Sequence, residues 1–240
     1  MSRVDTGYSS GVAQGRATVY SRIMVTSVLT HKTGWSALDE LLQPEVSAHG
    51  AGPEQRVVFC GISWDRYLSF DQKLGDDRPG PRLYYLEGEL EIMTTSNEHE
   101  RIKEWIGGLL EIYFDETRTE VIPRGQATLR LALTAAGAEP DKSWCIREEK
   151  ELPDLVLEIA LTSGGINKLE IYRRFKVPEV WFWRRNRLEI FAWNNSGNYE
   201  SSRTSRLLAG LDTALIERCV GITSWQQARR TFRAALSKAQ

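Results

Sequence analysis

From Gln55 onward the chain is a series of short apolar runs separated by glycine, proline and clustered charge. "RVVFC" predicts a strand, and "SWDRYLSFDQKL" a helix capped by Ser63. "RLYYLEGELEIM" predicts a hairpin turning at Glu87-Gly88. Thr95 and Glu98 have capping-box spacing. In the helix that follows, His99, Ile102, Ile106, Leu109, Leu110 and Tyr113 share one stripe. Gly107-Gly108 either weakens this helix or lets another backbone approach. "EVIPRGQATLRLAL" reads as one or two strands, "TAAGAEP" as a loop, and "DKSWCIREEKE" as a short strand entering a charged turn. A buried strand runs from Asp154 to Leu161, then a turn "TSGGIN" and a helix "KLEIYRRFK". "VPEVWFWRRNRLEIFAWNN" predicts an aromatic hairpin turning near Arg185-Asn186, and "SWQQARRTFRAALSKA" a final helix with a basic face.

This pattern divides the chain into three. Residues 1–56 form an extension, partly irregular, with a short helix from Ala37 to Leu42. Residues 57–200 form the main α/β domain, and 201–240 a C-terminal extension carrying the terminal helix. At 240 residues with 41% hydrophobic and 26% charged content, the chain can bury a core without staples. The net charge of -1 gives no global basic field, although a local patch is enough for a nucleic-acid enzyme. Cys60, Cys145 and Cys219 have neither zinc-ligand spacing nor a disulfide pattern, which points to a reducing compartment. No apolar run approaches the roughly 18 residues of a membrane span, and residues 1–20 lack the apolar segment of a secretory signal. The expected location is cytoplasmic.

Two acids interrupt the buried strand. Side chains alternate across a strand, so Asp154, Val156, Glu158 and Ala160 share one face and Leu155, Leu157, Ile159 and Leu161 the other. In the next helix Lys168, Ile171, Tyr172 and Phe175 have inward spacing. A strand acid and an inward lysine joined by a tight glycine turn can meet at one end of the sheet. Carboxylates there would hold magnesium or manganese, and the lysine would orient water or neutralise developing charge. Each residue also has a structural reading. Asp154 after Pro153 can cap a turn, Glu158 can be ion-paired, and Lys168 can snorkel to solvent.

"PDLVLEIALTSGGINKLEIYRRFKVPEVWFW", with "GELEIMTTSNEHERI" and "EPDKSWCI" before it, resembles the Uma-type endonuclease-like family of the PD-(D/E)XK nuclease superfamily. The matching residues are Pro153, Asp154, Leu155, Glu158, Lys168, Tyr172, Val177, Pro178, Glu179 and Trp181, with Pro140-Asp141 and His99 upstream. The resemblance spans roughly residues 57–195. It implies a restriction-endonuclease-like α/β core, a mixed β-sheet flanked by helices. It also implies a site of Asp141, Glu158 and Lys168, with Asp141 and Glu158 binding the divalent cation. The superfamily's usual lysine position, two residues after the Glu, is Ala160 here, so Lys168 would act from the helix. His99, Asp154 and Gln126 are accessory candidates. The family's Ser-Pro pairs are replaced in "MTTSNEH" and "IALTSGG", and its Gly before Val-Pro is Lys176.

The implied function is metal-dependent endonuclease cleavage of phosphodiester bonds, with DNA the expected partner and a homodimer the common state of such cores. The alternative is a nuclease fold kept as a non-catalytic binding or assembly module, its acids paired to arginines such as Arg130 or Arg173. A third reading takes Trp181, Trp183 and Trp193 as an interaction surface. Arg229, Arg230, Arg233 and Lys238 of the final helix are further candidates for phosphate contact.

Overall fold

The computed structural model describes residues 46–49, 54–75, 80–125 and 127–239. The expected helix from Ala37 to Leu42 and the candidate Gln126 lie outside these residues. Two six-stranded sheets face each other. The first is antiparallel throughout, in the order β1 (Val46–His49), β2 (Arg56–Phe59), β4 (Glu89–Met93), β3 (Arg82–Leu86), β7 (Ala136–Ala138), β6 (Leu129–Leu131). The second has the order β12 (Tyr199–Ser202), β11 (Arg187–Trp193), β10 (Glu179–Arg184), β9 (Leu155–Ile159), β8 (Lys142–Ile146), β5 (Val121–Pro123). It is mixed, because β9 and β10 run parallel, joined through helix α3 (Lys168–Phe175). Helix α1 (Trp64–Leu74) packs outside the first sheet, whereas α2 (Asn97–Thr117), α4 (Thr213–Val220) and α5 (Trp225–Ala239) pack outside the second. The α/β class with a mixed, helix-flanked sheet is as the sequence predicts.

Alternation sorts the buried residues into three apolar groups. Leu155, Leu157, Ile159, Trp181 and Trp183 face α2, α4 and α5. Val156, Val180 and Phe182 face the other way, onto α3 and onto Tyr84, Leu86 and Met93 of the first sheet. The opposite face of that sheet, with Val57, Leu83, Tyr85 and Ile92, covers Tyr67 and Phe70 of α1. The site therefore lies in the layer between the sheets. Trp181 and Trp183 are buried core residues, which removes them from the proposed interaction surface. Leu208, Leu211, Ile216 and Phe232 share the core of the second sheet, so the C-terminal segment is integral to it.

Several local expectations are corrected. Ser96, not Thr95, caps α2, its hydroxyl accepting from the His99 N–H at 3.1 Å. The glycine pair in α2 admits side chains, not backbone: a Cβ on Gly107 would meet Lys142 and one on Gly108 would meet Trp225. The expected loop at 134–140 contains β7, which pairs with both β3 and β6. Its Ala-Gly-Ala sequence carries no hydrophobic period. It is a strand because two neighbours supply hydrogen bonds and because Gly137 makes room for Tyr67. A Cβ on Gly137 would lie 2.4 Å from the Tyr67 hydroxyl oxygen, and that ring is already stacked on Tyr85 with centroids 4.8 Å apart. Gly137→Ala is expected to destabilise the protein by about 1–3 kcal/mol, the usual range for overpacking. Chemical denaturation would check this, and an unchanged midpoint would show that Tyr67 relaxes freely.

Candidate functional site

β8 and β9 are antiparallel, with Lys142 opposite Leu157 and Ser143 opposite Val156. One further step in this register sets Asp141 opposite Glu158, so both acids share the face turned toward the first sheet. Both are fully buried. Asp141 Oδ2 accepts the Ile159 N–H at 2.7 Å, which ties the acid to the strand that carries Glu158. The first turn of α3 brings Lys168 Nζ to 3.0 Å from Glu158 Oε2. The same ammonium lies 3.5 Å from the centroid of the Tyr84 ring. Tyr172, one turn further along α3, donates its hydroxyl to Glu158 Oε1. The Tyr84 hydroxyl is 3.0 Å from both Glu158 Oε2 and the Glu139 carbonyl. Burial, reinforced by the Glu158 charge, raises both phenols well above their ordinary range and keeps them as donors.

His99 enters from the start of α2 and is fully buried. Its Nε2 is 2.8 Å from Asp141 Oδ1 and its Nδ1 is 2.6 Å from Glu54 Oε1. Burial opposes the charged ring, but the hydrogen bonds to Asp141 and Glu54 outweigh it and raise the pKa to about 9. At neutral pH His99 is therefore an imidazolium donating from both nitrogens. For Asp141, too, burial is opposed and outweighed, by His99 first and then by Arg82, so its carboxyl is held low. Burial pushes the Glu158 carboxyl up, with the Asp141 charge adding to it against the pull of Lys168.

Asp141, Glu158, Lys168 and His99 are thus brought together. Asp154 is not. It precedes β9, four residues before Glu158, about 13 Å by strand rise. Its carboxylate accepts from the Ile146 N–H at 2.7 Å and from Lys150 at 2.8 Å, closing the charged turn. Arg130 and Arg173, the guanidiniums expected under the non-catalytic reading, pair instead with Asp71 and Glu170. The guanidinium that does approach the site is Arg82, 3.7 Å from Asp141 Oδ1.

Sequence reasoning missed Glu54, Arg56, Arg82, Tyr84 and Glu91. The last four occupy the inner face of β2, β3 and β4, where Arg56 and Arg82 both stand opposite Met93, and Tyr84 opposite Glu91. Polar side chains recur at period two in "RLYYL" and "ELEIM", a partial signal, whereas Arg56 stands alone at the start of "RVVF". Glu54 binds His99, and also accepts from the Thr162 N–H at 3.2 Å and the Thr162 hydroxyl at 2.8 Å. It lies just before the first predicted strand, inside the segment expected to be irregular.

Among the described residues no group of three or more His, Cys, Asp or Glu is arranged to hold a metal ion. The donor chemistry of the acid pair nevertheless fits a hard cation. Each ionised carboxylate offers about four acceptor sites. Asp141 uses two of them, and Glu158 at most three. Cations already partner each acid: His99 and Arg56 on Glu54, His99 and Arg82 on Asp141, and Lys168 on Glu158.

Lys168 also lines a cleft of about 560 Å³ at the ends of β9 and β10, with Arg56, Thr162, Ser163, Arg184 and Arg185 among its walls. No described helix is long and apolar enough to cross a membrane.

Residues 64–227 match the family model Uma2, described as "Putative restriction endonuclease". A solved structure from Anabaena variabilis, titled a "putative nuclease belonging to DUF820", is similar at 12% identity and a TM-score of 0.43, covering 71% of this chain and 99% of its own. No curated protein matches the chain.

Proposed function

This chain belongs to the Uma2 family of restriction-endonuclease-like proteins, and from that premise we propose that it hydrolyses phosphodiester bonds in DNA with the help of magnesium or manganese. The observation that carries the proposal is the position of Lys168, which touches buried Glu158 on one side and an open cleft on the other. Asp141 and Glu158 would hold the cation. The chemistry such a cation would supply is polarisation of a phosphoryl oxygen and activation of water. The protein's own groups do the rest. His99, fixed by Glu54, holds Asp141 Oδ1, and the Ile159 N–H holds Oδ2. Tyr172 and Tyr84 hold Glu158. Lys168 places a positive charge at the cleft wall, where negative charge builds on the phosphoryl group.

Incubating the protein with single- and double-stranded DNA, with and without manganese, tests this directly. Cleavage that requires the metal and stops with chelator is expected. Lys168→Met keeps the aliphatic stem and removes the charge. It should lower turnover by about 10²–10³, the scale of losing one transition-state donor, while changing manganese affinity much less. Equal loss of both would remove Lys168 from the chemical step. One feature favours the second reading, a non-catalytic binding or assembly module: Arg82 stands beside Asp141. That reading predicts no cleavage in any divalent metal.

A further inference from the structure

The turn between β9 and α3 is built over a buried arginine. Gly164 and Gly165 have φ of 94° and 88°, and a Cβ on Gly165 would fall 1.9 Å from Glu91 Oε2. Arg56 braces the turn from beneath, donating to the Gly164 carbonyl and, at 2.6 Å, to the Thr162 hydroxyl. It is only 4% exposed, yet its Nε has no hydrogen-bond partner. Above it, exposed Ser163 and Gly164 open onto the cleft beside Lys168. The opposite wall comes from the β10–β11 hairpin. Arg184 lies 4.0 Å over the Phe182 ring and 3.4 Å from Glu189. Arg185 is held in the left-handed region at φ 51° and is exposed, with no ion pair among the described residues.

Arg56, Lys168, Arg184 and Arg185 thus line one concavity; the first three are ion-paired, to Glu54, Glu158 and Glu189, and among the described residues Arg185 is not. Arginines at a hairpin tip are usually just solvated. Here three separate elements bring cations to one cleft, and the exposed Arg185 beside half-exposed Arg184 offers an anion two guanidiniums on one wall. We propose that this cleft is a phosphate subsite, gripping the backbone of a polynucleotide strand next to the phosphodiester placed at Glu158. The inference rests on the function proposed above, and a binding measurement without divalent metal separates the two.

The full chain in EDTA is titrated with fluorescein-labelled single- and double-stranded oligonucleotides over a range of salt concentrations, beside Arg184→Gln/Arg185→Gln. The double variant should bind the single strand about tenfold or more weaker. The slope of log K against log salt should shrink by about 1.4, or 0.7 for each charge lost. Exposed pairs such as Arg184–Glu189 contribute little to stability, so an unchanged melting temperature is the control. Equal affinity and slope for both proteins would overturn the subsite, as would absence of binding by the wild-type chain at low salt. Binding with the expected slope difference but no cleavage in manganese would support the subsite while removing the hydrolase reading.

Discussion

Glu158→Gln should reduce manganese-dependent DNA cleavage by on the order of 10³ or more, and Asp141→Asn should do the same, because each removes one of two charged oxygen donors for the cation. The amide is the informative replacement. Glu158 is fully buried and accepts from Tyr172 and Lys168, so cutting it back to alanine would leave an ammonium and a phenol facing a hole. Breaking a buried pair in that way costs about 3–5 kcal/mol. Glutamine keeps the shape and an acceptor oxygen. Lys168 is 10% exposed toward the cleft, so water can solvate its charge in part. The variant should therefore fold, with a modest loss of stability, and should bind manganese more weakly than the wild type. Cleavage at the wild-type rate by both amide variants, with folding verified by circular dichroism, would dismiss these two acids as the centre of the reaction.

Raising the pH above neutrality should weaken the fold, because His99 gives up its proton there. His99 has a folded pKa of about 9 against an ordinary value of 6.5. A group whose folded pKa is raised contributes its full stability below the unfolded value and loses it as pH rises through the folded value. The window is therefore pH 6.5 to 9, and the difference of roughly 2.5 units corresponds to on the order of 3 kcal/mol. On the acid side the sign reverses. Glu54 and Asp141 have depressed carboxyls, because hydrogen bonds and charge from His99 and its neighbours outweigh their burial. Their contribution is present above the ordinary carboxylate range and is lost as pH falls below it. Urea melts from pH 5 to 10 should show a maximum near pH 6 and a decline toward 9. In His99→Gln the alkaline decline should flatten. A wild-type midpoint constant between pH 6.5 and 9.5 would mean that the ring is neutral in the folded state.

Much of the architecture could be read from one-dimensional pattern. The β9 strand, its glycine turn and α3 were legible because strand and helix periods differ, and Glu158 and Lys168 stand out against apolar neighbours. The geometry also gathers Asp141 and His99 with them. The rest of the cluster was hidden for separate reasons. Arg56 and Arg82 begin their strands, where charge is normally solvated, and only the facing sheet buries them. Glu91 sits in β4, whose other glutamate, Glu89, is exposed, so local sequence does not distinguish the two. β7 is a strand through its neighbours and not through its own side chains. The capping residue of α2 differed by a single position because Thr95 and Ser96 have equivalent chemistry.

Glu54 has one more implication, for anyone dividing this chain. A recombinant piece cut at the start of the predicted domain, residue 57, would discard Arg56 together with the anion that holds the imidazolium and the hydroxyl of Thr162. Such a piece would keep most of the described strands and the five described α-helices, yet leave a cationic ring tethered from one side only. Inactivity in it would report a missing anchor, not the absence of an enzyme.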